Sequence, residues 1–247
     1  MMKTFVLSLK NSIDRRERVE TKLNAANIQF EFFDALTPQD LTNTQKELIR
    51  PEKTLRLKGY TLKKGEIACF FSHMAIWQWC VKHQQDVLVL EDNVDIHPEI
   101  ASVVAELQHI RSQLSLRSLV KLAASKQNIA FNKTTALSET FALGDYACPT
   151  SGAMGYLLRP EAAEQLVNNA KEILFPVDDY MEKVWIHDIN IISIYPDVVF
   201  RAAIPSTIGH TRKNKDHLSV INKFYIEAFR FYEQIRRKFY LLTKRRC

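Results

Sequence analysis

Four apolar residues, Val87-Leu88-Val89-Leu90, run without interruption into Glu91-Asp92-Asn93, with Asp95 two residues further on. A short continuous apolar run is the pattern of a strand buried on both faces, as in a parallel sheet flanked by helices. In open α/β sheets, ligands bind just beyond the carboxyl ends of the strands. Glu91, Asp92 and Asn93 are therefore expected at a binding edge. Packed oxygen donors there suit a hard cation, Mg²⁺ or Mn²⁺, and such a cation can hold a diphosphate. The competing explanation is a solvated loop in which Asn93 only makes the turn.

The surrounding chain favours the α/β interpretation. Thr4 to Leu9 is a second short apolar run. Asn11 or Ser12 can cap the helix after it, Asp14 suits its first turn, and Val19, Leu23 and Ala26 give it an apolar stripe. Gln29 to Phe33 predicts another strand, ending at Asp34. A strand–helix–strand unit of this kind makes two parallel strands with a right-handed crossover. No GxGxxG motif lies in it, so the dinucleotide fingerprint is missing. Residues 37–64 are polar, lysine-rich and without period, and predict a mobile loop with one short helix. Ile67, Phe70, Phe71, Met74, Trp77 and Val81 then follow the spacing of an amphipathic helix. Further expectations are a helix over 99–117, a strand over 119–123, loop over 126–145, a glycine-bearing strand over 152–158, a helix opening at Pro160, a turn into a helix at 175–179 and a last strand over 198–204.

The 247 residues suffice for one large α/β domain, or a domain with an appendage. Cys69, Cys80, Cys148 and Cys247 form no CxxC pair, and no His/Cys cluster has zinc-finger spacing, so free thiols in a reducing compartment are expected. The apolar stretch at the start is too short for a signal peptide, and no segment approaches the ~20 apolar residues of a membrane span. A cytoplasmic protein is expected, either soluble or peripheral on the inner face of the membrane. The net charge of +6 sits at one end. Residues 223–247 carry eight basic and two acidic residues, so residues 1–222 are neutral overall. Residues 1–222 are therefore expected to form the domain and 223–247 a basic amphipathic helical tail with a negatively charged partner.

Six segments, in order, carry a resemblance to a known family. They are Phe5-Val6-Leu7-Ser8-Leu9 with Asp14-Arg15-Arg16; Phe32-Phe33-Asp34-Ala35; Gly65-Glu66-Ile67-Ala68-Cys69 with Ser72-His73; Leu90-Glu91-Asp92-Asn93-Val94; Gly155-Tyr156-Leu157; and Pro176-Val177-Asp178-Asp179-Tyr180. Together they resemble glycosyltransferase family 25, the lipooligosaccharide glycosyltransferases, over about residues 3–210. The resemblance implies a GT-A-like α/β fold with a mainly parallel sheet. It also implies metal-assisted, inverting transfer of galactose or glucose from a UDP-sugar to a lipid-linked saccharide. One position departs from the family: the usual Glu-Asp-Asp reads Glu91-Asp92-Asn93 here. An amide oxygen still coordinates a hard cation but adds no charge. Either the metal site persists with Asp92 as its best ligand and Asp95 compensating, or Asn93 is no ligand at all.

Inverting transfer needs a base in line with the donor. Asp178 and Asp179 are the candidates. Asp179 with Glu182 fits a capping box, which leaves Asp178 without a structural task and makes it the first choice. Glu66 and His73 share a helix face; the resemblance puts them near donor or acceptor, while helix capping and a buried histidine explain them equally well. For Arg15 and Arg16, with Asp34 and Glu91, the resemblance favours donor contact; a solvated helix turn is the alternative for the arginines. Thr150, Ser151 and Gly152 either line the sugar pocket or form a simple turn. His210 can complete a Mn²⁺ site, and Arg212 can neutralise diphosphate, with a solvated basic loop as the alternative.

In the tail, Phe224, Tyr225, Phe229, Phe231, Tyr232, Phe239 and Tyr240 are interleaved with basic residues. This suits an anionic membrane surface, although packing on the domain or nucleic-acid binding would use the same residues. The implied acceptor favours the membrane, and no nucleic-acid partner is expected. Two other functional classes compete: a non-catalytic nucleotide-sugar or saccharide-binding protein that kept the fold, and a nucleotidyltransferase, disfavoured by the lack of a glycine-rich phosphate loop.

Overall fold

The computed structural model describes residues 2–124, 129–204 and 219–244. It opens with strand β1 (Lys3–Ser8), helix α1 (Ile13–Ala25) and strand β2 (Glu31–Asp34), and β1 and β2 pair in parallel. Val19 and Leu23 are the buried stripe of α1, and Ser12 stands at its N-cap without a side-chain cap bond. Residues 37–64 hold two helices where one was expected, α2 (Asn43–Lys46) and α3 (Pro51–Lys58). Their signals are local rather than periodic. Thr42 and Gln45 form a reciprocal capping box, Pro51 opens α3, and Gly59 ends it at φ 78°.

Next come α4 (Lys64–His83), β3 (Val87–Glu91), β4 (Val94–Ile96), α5 (Ile100–His109) and β5 (Ser118–Lys121). The span 126–145, expected as loop, contains β6 (Phe131–Ala136) and β7 (Ala142–Tyr146), an antiparallel hairpin. It was hidden because β6 is mostly exposed and therefore polar. The chain continues through β8 (Gly155–Leu158), α6 (Pro160–Asn169), α7 (Val177–Met181), α8 (Val184–His187), β9 (Asn190–Tyr195), β10 (Val199–Arg201) and α9 (Val220–Lys244). Strand β9 was missed by sequence reasoning altogether.

The main sheet has the order β2-β1-β3-β8-β5-β9-β7-β6, and β4 with β10 makes a two-stranded ribbon. Six of the eight main strands point the same way, with β7 and β8 reversed. The expectation of a mainly parallel α/β sheet flanked by helices is met. Strand β3 lies between parallel β1 and antiparallel β8, and Val87, Leu88, Val89 and Leu90 are all fully buried. Their side chains alternate between two cores. Val87 and Val89 join Trp77 and Tyr156 on the α4 side, while Leu88 and Leu90 join Val6 and Ile100 on the other. Gly155 in β8 is needed for close approach: a Cβ there would sit 3.1 Å from Val199 and 3.3 Å from Leu90.

Helix α9 is docked along one stripe. Ile226 is buried, Phe229 stacks on Phe175, and Tyr240 Oη donates to Asp188 Oδ1 at 2.8 Å. Glu233 closes a ring of alternating charge. Lys58 Nζ reaches Glu233 at 3.0 Å and Asp179 at 3.1 Å; Lys183 Nζ reaches Asp179 at 3.0 Å and also binds Glu233. The opposite face of α9 exposes Phe224, Phe231, Ile235 and Phe239. Among the described residues, no helix is long and apolar enough to cross a membrane.

Replacing Glu233 by alanine leaves two largely buried lysines sharing one carboxylate. Breaking a buried ion pair from one side costs about 3 kcal/mol. Urea unfolding of Glu233→Ala should show a loss of this size, and an unchanged midpoint would mean that the ring adds no stability.

Candidate active site

Strands β1, β2 and β3 end side by side, at Ser8, Asp34 and Glu91, and the chain that leaves them carries most of the predicted polar residues. Two groups form there. In the first, Asp92 is buried and both its oxygens are engaged. Ser8 Oγ donates to Oδ2 at 2.7 Å, and Arg15 Nη1 donates to Oδ1 at 3.1 Å. Arg16 is pinned beside it, donating to the carbonyls of Leu9 and Ser8 and to Asp34, with its guanidinium 4.7 Å over the Phe32 ring. Asp95 turns away to Arg18 and Lys22 on α1. The structure thus gives it a structural task in place of the expected compensation for Asn93.

In the second group, Glu91 faces α4. His73 is fully buried; its Nδ1 lies 2.8 Å from Tyr156 Oη and its Nε2 lies 3.7 Å from Glu91 Oε1. Trp77 Nε1 donates to the same Tyr156 oxygen at 3.0 Å. Burial pushes the Glu91 carboxyl up, but His73, the Asn93 amide and the Arg201 charge overcome it, so the net pKa lies below the usual value. The Asn93 Oδ1 is buried without a hydrogen-bond partner among the described residues. Glu66 is also buried, and its carboxylate accepts from Lys63 N–H at 2.9 Å, capping α4.

Asp178 approaches from α7. Gly152 N–H donates to its Oδ2 at 3.3 Å and Asp179 N–H to its Oδ1 at 2.9 Å. Burial raises its pKa, helped by the Asp179 and Glu91 charges; the two backbone donors oppose this, and the net direction is up. Asp179 behaves oppositely: burial pushes it up, but Lys183 and Lys58 draw it below the usual value. The expected Asp179–Glu182 capping box does not form, because Pro176 is the N-cap of α7. Glu182 instead accepts from Lys121 at 2.8 Å and from Thr150 N–H at 3.2 Å, and Arg237 of α9 approaches it at 3.7 Å. Ser151 and Gly152 have φ of 48° and 79°, and this turn aims the Gly152 N–H at Asp178.

Sequence reasoning overlooked Cys69, Trp77, Lys121, Tyr156 and Glu182 as parts of this arrangement. Lys121 and Glu182 are buried, and a lone charged residue within an apolar strand, as Lys121 is, was the available signal. His210 and Arg212 lie outside the described residues. A 970 Å³ cleft lies at the amino end of β1, lined by Met2, Thr4, Glu20 and Phe30 among others, and contains none of the candidate residues.

Comparison with known proteins adds a second line. Residues 1–181 match the family model of glycosyltransferase family 25 (LPS biosynthesis protein). A glycosyltransferase 25 family member of Aedes aegypti is 27% identical over 186 residues, 72% of this chain and 30% of that protein. Lipooligosaccharide biosynthesis protein lic2B of Haemophilus influenzae is 31% identical over 170 residues, 66% of this chain and 61% of that protein. Procollagen galactosyltransferase 2 of Homo sapiens is 26% identical over 188 residues, 72% of this chain and 29% of that protein. In all three the match spans less than two thirds of the relative's length.

The support beneath Asp178 titrates. His187, fully buried on α8, lies 3.1 Å from the carbonyls of both Tyr180 and Met181 in α7. Burial lowers its pKa from 6.5 to about 4, against those carbonyls and nearby carboxylates. The folded state therefore binds this proton less readily than the unfolded chain. Its contribution is complete above pH 6.5 and declines towards pH 4, by up to about 3 kcal/mol. His187→Gln should flatten the pH dependence of the unfolding free energy across that window; a wild-type slope in the variant would contradict the assignment.

Proposed function

The chain belongs to glycosyltransferase family 25, and from that premise we propose that it transfers a hexose, galactose or glucose, from a UDP-sugar to a lipooligosaccharide acceptor, with inversion and with Asp178 as general base. In this interpretation the α/β domain is a GT-A-like unit. The observation that carries the assignment is the contrast between two adjacent carboxylates. Asp179 is neutralised by Lys58 and Lys183, whereas among the described residues Asp178 accepts hydrogen bonds from backbone N–H groups and has a raised pKa. A raised pKa makes a carboxylate a better proton acceptor. The acceptor hydroxyl oxygen bonds to the anomeric carbon, the bond from that carbon to the diphosphate breaks, and the hydroxyl proton passes to Asp178. The departing UDP takes the bonding electron pair.

A hard divalent cation, when bound, offsets the charge that develops on the diphosphate. The residues fit such an ion in a different way from the sequence expectation. Asp92 is engaged by Ser8 and Arg15, but Asn93 offers an unpartnered buried oxygen and Glu91 a carboxylate with a lowered pKa. These two are the proposed oxygen ligands for Mn²⁺ or Mg²⁺. Arg15, fixed by Asp92, is placed to orient phosphate oxygens.

The lipid-linked acceptor gives the outer face of α9 a task. Phe224, Phe231 and Phe239 are 73%, 64% and 67% exposed on a helix rich in Arg and Lys, which suits an anionic membrane surface. Truncating the helix would also break the Glu233 ring, so surface substitutions are the cleaner test. The triple change of Phe224, Phe231 and Phe239 to serine should abolish co-sedimentation with anionic vesicles and leave the melting temperature unchanged. Persistent vesicle binding would remove the membrane assignment.

Transfer itself is tested by acceptor-dependent release of UDP from a panel of UDP-sugars with Mn²⁺. Asp178→Asn should lower kcat by about 10²–10⁴ with an unchanged melting temperature. A near-wild-type rate would exclude Asp178 as base. Donor binding without turnover in the wild type would make the protein a nucleotide-sugar-binding relative instead.

A further inference from the structure

Cys69 and His73 stand four residues apart on α4, so their side chains share one face, and that face meets the end of β3. A Cys69 sulfur, a His73 ring nitrogen and a Glu91 carboxylate oxygen all lie within 4.8 Å of one another. His73 is fully buried, and its Nε2 has no hydrogen-bond partner among the described residues, although it lies 3.7 Å from Glu91 Oε1. A buried ring nitrogen left without a hydrogen bond is costly, so this atom requires an explanation.

The other side of the ring supplies one. The Tyr156 oxygen has two lone pairs. It accepts from Trp77 Nε1 and can also accept from His73 Nδ1. In the neutral tautomer that carries its proton on Nδ1, the Nε2 lone pair faces Cys69 and Glu91. A histidine that ligates a metal through one nitrogen is held in the same way, with its other N–H bonded to a fixed acceptor.

We propose that Cys69, His73 and Glu91 form a binding site for a thiophilic divalent cation, Zn²⁺ in the first instance. One sulfur, one imidazole nitrogen and one carboxylate oxygen match the donor preferences of zinc and not those of Mg²⁺. Three protein ligands leave the fourth tetrahedral position to solvent or an incoming group. Zinc–ligand bonds of ~2.0–2.3 Å place ligand atoms roughly 3.5 Å apart, so the cluster must contract by about 1 Å, within the reach of side-chain rotation. The local field favours a cation. The Glu91 carboxylate beside the thiol offsets part of the ion's charge, and binding releases the Cys69 thiol proton. The site does not depend on the transfer reaction. It shares Glu91 with the proposed oxygen-ligated ion, so the two ions compete for that carboxylate.

The test uses the full-length protein, stripped with a chelator and kept reduced, and titrated with Co²⁺ as a spectroscopic stand-in for zinc. The wild type should develop a thiolate-to-cobalt charge-transfer band that one equivalent of Zn²⁺ removes. Cys148 is exposed and Cys247 lies outside the described residues, so a Cys148→Ser/Cys247→Ser double variant controls for surface thiols and should keep the band. Cys69→Ser should lose it while keeping the wild-type circular dichroism spectrum. A wild-type protein without the band, a Cys69→Ser protein that retains it, or a double variant that loses it would each overturn the proposal.

Discussion

A strand without a polar face cannot end gradually. Strand β3 is buried above and below, so its last residue must hand the chain from a dry interior to a polar edge within one or two positions. Every donor and acceptor released there needs a partner, because an unpaired buried polar group costs as much as several good contacts contribute. Glu91, Asp92 and Asn93 meet this constraint in three ways. Asp92 is bound by Ser8 and Arg15, Glu91 faces His73, and Asn93 is left with a bare oxygen. The chemistry proposed for the protein sits on the two residues whose needs the fold meets least.

The same constraint explains Asn93. A third carboxylate would stand beside Glu91 and Asp92, adding a further negative charge to this strand end. The amide removes that charge and helps to hold Glu91 below its usual pKa. Asp178 is treated with similar economy. Its two hydrogen bonds come from backbone N–H groups, whose positions are fixed by Glu182 on one side and Asp179 on the other. Those carboxylates are held by Lys121, Lys58 and Lys183. The lysines thus fix the geometry of Asp178 without neutralising it directly.

Strong apolar patterns and family segments made much of this legible. The first strand–helix–strand unit, α4 and β3 follow from patterns that burial imposes on both strands and helices. The edge hairpin β6–β7 did not, because an exposed strand needs no apolar alternation. Nor did β9, whose apolar residues alternate poorly with exposure. Asp178 could be singled out because its neighbour appeared to have a structural task. The structure gives that neighbour a different partner: Asp179 is held by lysines, one of them 121 residues away in sequence, and not by Glu182. The pairings of Asp92 with Ser8 and of His73 with Tyr156 join residues more than 80 positions apart. No local spacing encodes such pairs; only the strand order does.

The ring around Asp179 has a consequence in time as well as in space. During synthesis the main sheet has its last strand once Tyr195 has emerged, yet the carboxylate that completes the ring comes from residue 233. Until then Lys58 and Lys183 share one acid between them, and Glu182 lacks Arg237. The face that holds Asp178 is thus assembled last, by the same helix whose outer surface is apolar and basic. A nascent chain acquires a finished sheet first, and the complete charged ring beside Asp178 only when α9 folds back onto it.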